Sequence, residues 1–145
     1  MNYVGIDPSA TATGLAYKAD GEWQTVELSI NEWKMMQDFL WYAYSADGIR
    51  KVMIEGQFAG INPKNAMLLA TVKGRIVQIA VEIGYEIEQV MPTSWQSAVL
   101  TLPPKAKTKD RKEASIIRAK EVTGEDIESD NIADAINIAC YAELL

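Results

Sequence analysis

The fold is decided by residues 3–29, which read YVGIDPSATATGLAYKADGEWQTVELS. This segment contains three stretches with the apolar or alternating pattern of β-strands. Pro8-Ser9 predicts a tight turn, and Asp20-Gly21 predicts a hairpin. Strands joined by short turns pair as antiparallel neighbours, so a meander is expected. The predicted strands are residues 3–7, 11–19 and 22–29.

Helical and strand patterns alternate in the rest of the chain. The capping-box pattern Ser29-x-x-Glu32 predicts the start of a first helix, and residues 51–55 and 85–90 are predicted strands. Strands reached through helices run parallel. The sequence therefore predicts an α/β fold in a single domain over residues 1–145, with a mixed five-stranded sheet and helices on both faces. Further helices are predicted at residues 65–83, 95–100, 111–122 and 131–144.

The composition excludes several function classes. The 145 residues include 14 Lys and Arg, 20 Asp and Glu, one Cys and no His, with a net charge of −6. Without histidine, Ser-His-Asp and Cys-His catalysis and His-rich zinc sites are excluded. One cysteine allows no intrachain disulfide. No apolar run reaches about 18 residues and no signal-peptide pattern is present, so we expect no membrane partner and a cytoplasmic location.

Basic residues are concentrated in one part of this acidic chain. Ten of the 14 lie between Lys64 and Lys120, and five of those lie within residues 105–112. A local basic face beside carboxylates suits a protein that holds a polyanion, although a solvated loop is the alternative. The five residues are Lys105, Lys107, Lys109, Arg111 and Lys112.

Acidic residues stand at unusual places in apolar segments. Asp7 and Glu55 each end an apolar strand, and Asp134 lies within an apolar helix start. Asp130 lies one helical turn earlier on the same face, beside Asn131. Each acid also has a structural alternative. Asp7 could begin a turn before proline, and Glu55 could be an exposed strand end. Asp134 could be a charge favoured near a helix N-terminus, and Asp130 could be an N-cap.

Three or four carboxylates brought together from distant segments would repel one another unless cations lay between them. Oxygen ligands without His or Cys select Mg²⁺, with Mn²⁺ as a substitute. Two such ions about 3.5–4 Å apart are the usual arrangement for phosphodiester hydrolysis.

The acidic segments and their neighbours resemble, in order, the motifs of RuvC-type Holliday-junction resolvases, particularly bacteriophage or mobile-element members. The matching segments are Val4-Gly5-Ile6-Asp7-Pro8-Ser9 with Thr13-Gly14-Leu15-Ala16, Ile54-Glu55-Gly56-Gln57-Phe58, Asn65-Ala66 with Leu69 and Gly74-Arg75, and Ile132-Ala133-Asp134-Ala135-Ile136. The resemblance implies an RNase H-like fold, a homodimer, and paired Mg²⁺-dependent nicks across a four-way DNA junction.

The resemblance also implies roles for the acids. Asp7, Glu55 and Asp134 would be catalytic and would bind the metal. The family usually has Asp or His at the position of Asn131, so either Asn131 or the adjacent Asp130 is predicted as the fourth ligand.

Further residues are expected to contact DNA. Phe58 would insert among bases at the branch point, or else fold onto the core as a loop anchor. Lys112 would lie near the scissile phosphate, or else be a solvent-exposed first-turn residue. The other expected phosphate contacts are Lys73, Arg75, Lys105, Lys107, Lys109 and Arg111.

Small and aromatic residues carry two more predictions. Ala66, Ala70 and Gly74 recur every four residues, which suits either a helix–helix dimer contact or packing on the protein's own sheet. The tryptophans are predicted to be core or interface residues: Trp23, Trp33, Trp41 and Trp95.

Two other functions share these features. A different RNase H-like nuclease, acting on flaps or RNA–DNA hybrids, would need the same acids. A non-catalytic junction-binding module would keep the basic residues and lose metal-dependent cleavage.

Overall fold

The computed structural model describes residues 1–56 and 62–145. Its strands form one five-stranded sheet in the order β3-β2-β1-β4-β5. β2 is antiparallel to β1 and β3, whereas β1, β4 and β5 run parallel. The predicted mixed sheet is confirmed. The elements are β1 (Tyr3–Asp7), β2 (Ala12–Ala19), β3 (Glu22–Ser29), α1 (Trp33–Ser45), β4 (Lys51–Glu55), α2 (Pro63–Ile83), β5 (Glu86–Val90), α3 (Pro92–Val99), α4 (Thr108–Thr123) and α5 (Asp130–Glu143).

Helices cover both faces of the sheet, as predicted. Because side chains alternate along a strand, Val4 and Ile6 of β1 point to the face covered by α1 and α2, where they pack with Leu40 and Ile76. The alternate residues of β1, which are Tyr3, Gly5 and Asp7, point to the opposite face. That face is covered chiefly by α5, together with α3 and α4.

Helix α5 lies directly on the sheet because two strand positions are glycine. A Cβ on Gly5 would lie 2.7 Å from the Ala139 amide nitrogen and closer still to the Ala135 carbonyl oxygen. A Cβ on Gly14 would lie 2.5 Å from the carbonyl carbon of Asn131. Only glycine at both positions allows this close approach, which brings the first turns of α5 to the end of β1.

Several helices begin earlier than the sequence predicts. α4 begins at Thr108 rather than residue 111, because the Asp110 carboxylate accepts a hydrogen bond from the Lys107 amide at 2.9 Å and holds the first turn. The capping box before α1 forms only in part. Glu32 accepts from the Ser29 amide at 2.9 Å, but the helix begins at residue 33, so Glu32 is itself the N-cap.

The tryptophan prediction holds for three of the four residues. Trp95 is fully buried, and Trp23 and Trp33 are half-buried against the core. Trp41 is not a core residue: its side chain is 55% exposed on α1, where it stacks on Tyr44, so for this residue the interface alternative stays a prediction. No helix in the described ranges is both long and apolar enough to cross a membrane.

Candidate active site

The ends of two central strands bring Asp7 and Glu55 together. β1 and β4 pair in parallel with Ile6 opposite Ile54, so the next residues, Asp7 and Glu55, end neighbouring strands on the same face. Both side chains are 6% exposed. Helix α5 lies over that face and adds Asp134, whose charge is among the causes that raise the pKa of Asp7 after burial and Glu55. The three acids that the sequence singles out therefore lie near one another at the carboxyl ends of β1 and β4.

Burial and mutual repulsion change how readily these acids ionise. Burial, and then the charges of Glu55 and Asp134, raise the pKa of Asp7 well above its usual range. Burial raises the pKa of Glu55 to about 7 and that of Asp134 to about 6. A compact group of carboxyls with raised pKa values is a common property of sites that bind cations or transfer protons.

Neutral donors hold two of the three carboxyls in place. The Trp95 indole nitrogen donates to Glu55 Oε2 at 2.5 Å, and the Ser115 hydroxyl donates to Asp134 Oδ1 at 2.5 Å. These hydrogen bonds oppose the effect of burial and lower the pKa values of the two acids. α3 and α4 therefore orient the acids that β4 and α5 supply.

The two candidates for the fourth ligand lie in different surroundings. Ser129 is the N-cap of α5, so Asp130 is not needed as a cap. After burial, the nearby charge of Asp130 contributes to the raised pKa of Asp134, which places Asp130 beside the cluster. The Asn131 amide instead donates to Glu27 on β3 at 2.8 Å. Asp130 therefore adds negative charge near Asp134, whereas the amide nitrogen of Asn131 is bonded to β3.

Two lysines, one on α4 and one on α2, lie near the acids. Lys112 of α4 lies 3.6 Å from Asp130 and is 58% exposed. Lys73 of α2 donates to Gln89 at 2.6 Å. Burial lowers the pKa of Lys73, and the charge of Glu55 opposes that shift, so this lysine also lies close to the cluster.

The remaining predicted DNA contacts lie away from the acids or outside the described residues. Arg75 stacks its guanidinium over the Trp33 ring at 4.3 Å, so it is not brought to the cluster. Arg111 bonds the Ala106 carbonyl oxygen at 2.7 Å near the start of α4. Phe58 falls in residues 57–61, outside the described part of the chain. The lysines of the same basic stretch lie before and within the first turn of α4: Lys105, Lys107 and Lys109.

The donor set fits a hard divalent cation in composition. Asp7, Glu55 and Asp134 offer only carboxylate oxygens, and their raised pKa values show that each would gain from a nearby positive charge. Across residues 1–56 and 62–145, however, no three acidic, His or Cys side chains already form a cation-holding group. Proximity is enough to raise a pKa, whereas coordination needs oxygens directed at one point. The residues therefore have the donor chemistry that such a cation requires.

Sequence reasoning missed the residues that support these acids. Ser115 and Asn137 are fully buried polar side chains on α4 and α5. In the sequence, Asn137 interrupts the apolar run of residues 135–139, and that interruption was the available signal. Trp95 was predicted as core, which is correct, but its polar contact with Glu55 was not visible in the sequence. Glu27, which anchors the start of α5 through Ser129 and Asn131, gave no signal because β3 is a half-exposed strand.

Solved structures are similar to this chain, although no family model and no curated protein matches its sequence. T. thermophilus RuvC in complex with a Holliday junction substrate aligns over 97% of this chain and 92% of that chain, with a TM-score of 0.71 and 20% identity. The Fowlpox virus resolvase in complex with Holliday junction DNA aligns over 100% and 99%, with a TM-score of 0.61 and 14% identity. The yeast mitochondrial Holliday junction resolvase Ydc2 aligns over 97% and 76%, with a TM-score of 0.52 and 13% identity. These likenesses show that the chain has the RNase H-like fold of the resolvases.

Proposed function

We propose that the protein is a metal-dependent endonuclease that resolves four-way DNA junctions by paired nicks. The observation that carries this proposal is the meeting of Asp7, Glu55 and Asp134 near two lysines. A fold shared with resolvases that were solved with junction DNA supports the choice of substrate. Fold alone does not determine activity, so the argument depends on the acids.

Each residue of the site has a proposed role. Asp7, Glu55 and Asp134 would hold two Mg²⁺ ions, with Asp130 as the additional ligand, and Mn²⁺ would substitute. When bound, such ions lower the pKa of water and neutralise charge at the reacting phosphate. Lys112, on the exposed side of the acids, would bind the scissile phosphate.

Basic residues near the site supply the proposed path for the DNA backbone. Lys73 lies on the Glu55 side of the cluster, and the basic stretch of residues 105–112 leads toward it from the start of α4. Cations beside the acids can hold phosphates while the carboxyls hold metal. Phe58, which follows Glu55 closely in sequence, stays a proposed base-stacking residue.

A homodimer is the proposed assembly, because two linked sites suit two symmetric strands of a junction. Ala70 and Gly74 on α2 are exposed, and a Cβ on Gly74 would meet nothing within 4 Å. Met67, beside them, is 72% exposed. Ala66 is half-buried, but Ala70 and Gly74 do not pack on the protein's own sheet, and a second α2 is the proposed partner.

The dimer is tested by light scattering on the wild type and on Ala70→Gln. A bulky side chain at a close helix contact costs about 1–3 kcal/mol, so the variant should dissociate while staying folded. A wild type that is monomeric at assay concentration contradicts the assembly and favours a single-site nuclease.

Incubation with labelled branched DNA tests the activity itself. A four-way junction, a flap and an RNA–DNA hybrid are compared with and without Mg²⁺. Paired symmetric nicks in the four-way junction that require Mg²⁺ are expected. Faster cleavage of the flap or hybrid would identify another nuclease of this fold, and tight junction binding without cleavage would identify a binding module.

A further inference from the structure

A buried polar chain runs from Asn137 through Ser115 to Asp134. Ser115 of α4 and Asn137 of α5 are both 0% exposed. The Asn137 amide nitrogen donates to the Ser115 backbone carbonyl at 3.0 Å and to its hydroxyl oxygen at 2.9 Å. The Ser115 hydroxyl then donates to Asp134 Oδ1 at 2.5 Å.

The contacts determine the direction of every proton in this chain. The Asn137 nitrogen must face the Ser115 carbonyl, because two carbonyl oxygens facing each other would repel. The Ser115 oxygen accepts from that amide, so its own proton points to Asp134. The hydroxyl therefore acts as a fixed donor to one oxygen of the acid.

The cost of this arrangement suggests that it serves more than packing. The Asn137 side-chain oxygen is buried without a hydrogen-bond partner among the described residues, and a buried unsatisfied polar atom destabilises the folded state. Its neighbours in α5, Ile136 and Ile138, are fully buried apolar residues. An apolar side chain at the position of Asn137 would remove that cost, but it would also free the Ser115 hydroxyl to rotate.

We propose that Ser115 is a positioning residue that holds Asp134 for metal binding, and that Asn137 fixes the direction of the Ser115 hydroxyl. This inference rests on the proposed metal-dependent function. Carboxylates that bind metal are commonly oriented by hydrogen bonds from neighbouring residues, and losing such a partner costs about 10–100-fold in metal affinity or activity. Ser115 engages Oδ1 of Asp134 at 2.5 Å, so the carboxylate would be held in one orientation when a cation binds.

The test measures Mn²⁺ affinity of the full chain without DNA, by calorimetric titration. Ser115→Ala should weaken Mn²⁺ binding about 10-fold. Asn137→Ala should weaken it less, because the hydroxyl is retained but can rotate. Thr123→Ala is the matched control: it removes a hydroxyl on the same helix that donates to the Ala119 carbonyl at 2.8 Å, and Mn²⁺ affinity should not change.

A double-mutant cycle separates positioning from general packing. In an Asp134→Asn background, Ser115→Ala should cause no further loss of Mn²⁺ affinity, because its effect acts through that acid. Ser115→Thr keeps the hydroxyl and should restore affinity toward the wild-type value. If Ser115→Ala fails to fold, Asn137→Ala and Ser115→Thr carry the test.

The outcomes are distinct for the inference and for the proposed function. Wild-type affinity in Ser115→Ala, or an equal loss in both backgrounds, overturns the positioning role while leaving the metal site intact. A wild type that binds Mn²⁺ but cuts no branched DNA refutes the nuclease and leaves the positioning role standing. A wild type that binds no Mn²⁺ refutes both.

Discussion

The two faces of the sheet differ in what they bury. The face under α1 and α2 is apolar: Val4, Ile6, Ile54 and Ile76 pack there with almost no polar partner. The face under α5 buries the charged residues and most of the buried polar ones: Asp7, Glu55, Ser115 and Asn137. The same strands supply both layers, because alternation sends neighbouring residues to opposite sides. The face under α1 and α2 therefore contributes chiefly stability, whereas the face under α5 combines an apolar core of its own with the candidate chemistry.

The largest expected effect comes from removing an acid of the α5 face. Asp7→Asn, Glu55→Gln and Asp134→Asn should each lower the cleavage rate by more than about 100-fold, since loss of a residue that only supports a metal ligand already costs about 10–100-fold. Junction affinity should stay near the wild-type value, because the residues proposed to bind phosphate are untouched. Both are measured by gel assays on labelled junctions.

A matched control and a paired comparison sharpen that result. Asp126→Asn removes an exposed acid that pairs with Lys120 at 3.4 Å, and cleavage should not change. Asp130→Asn should damage cleavage more than Asn131→Ala, because Asn131 is bonded to Glu27. Retained nicking in any of the three acid variants would remove that residue from the site.

Truncation of the apolar layer should separate stability from chemistry. Ile76→Ala, at a fully buried position, should lower the free energy of unfolding by about 2–5 kcal/mol in urea titrations. Its folded fraction should cut at the wild-type rate. Ile138→Ala, equally buried beside Asn137, should destabilise by a similar amount and also slow cleavage, because α5 carries Asp134. Equal kinetic effects of the two variants would contradict the division between the faces.

The pH dependence of stability should differ between the metal-free wild type and Glu55→Gln. Burial raises the pKa of Glu55 from 4.5 to about 7 in the folded protein. The folded state therefore binds this proton more tightly than the unfolded state, and the contribution to stability is present below pH 4.5 and is lost as pH rises through about 7.

Chemical denaturation across this range measures the effect. Relative to Glu55→Gln, the wild type should lose on the order of 2 kcal/mol between pH 4.5 and pH 8. Mn²⁺ should restore most stability at the higher pH, because a cation competes with protons for the carboxyls. Parallel pH profiles of the two proteins would show that Glu55 ionises as it does in the unfolded chain.

The smallest expected effect concerns the basic stretch before and within α4. Replacing Lys105, Lys107 and Lys109 together by Gln should weaken DNA binding without changing the midpoint of unfolding. The slope of log K against log salt should become shallower by about 0.9 for each phosphate that the variant no longer neutralises. Lys34→Gln, on the helix α1 that covers the other face of the sheet, is the control and should leave the slope unchanged. An unaltered slope in the triple variant would mean that the stretch is only solvated.

Local sequence patterns predicted most of the fold. The alternation in residues 3–29 predicted three strands, and the apolar run of residues 51–55 predicted the fourth, since local periodicity follows from the geometry of strands and helices. Helix starts were less predictable. α4 begins at Thr108 because the Asp110 carboxylate accepts a hydrogen bond from the Lys107 amide, a contact that the periodicity of apolar residues does not predict.

What the sequence determined by itself is the identity of the acids and the order of the elements. Asp7, Glu55 and Asp134 are conspicuous because charged groups interrupt apolar segments, and burying them alone is costly. What only the tertiary structure decided is which polar groups reach them. Ser115 is 19 residues from Asp134, and Trp95 is 40 residues from Glu55. Such contacts depend on how the helices cross the sheet. The position of α5 depends on its close approach to Gly5 and Gly14, and a local sequence pattern does not show which distant residues this approach brings together.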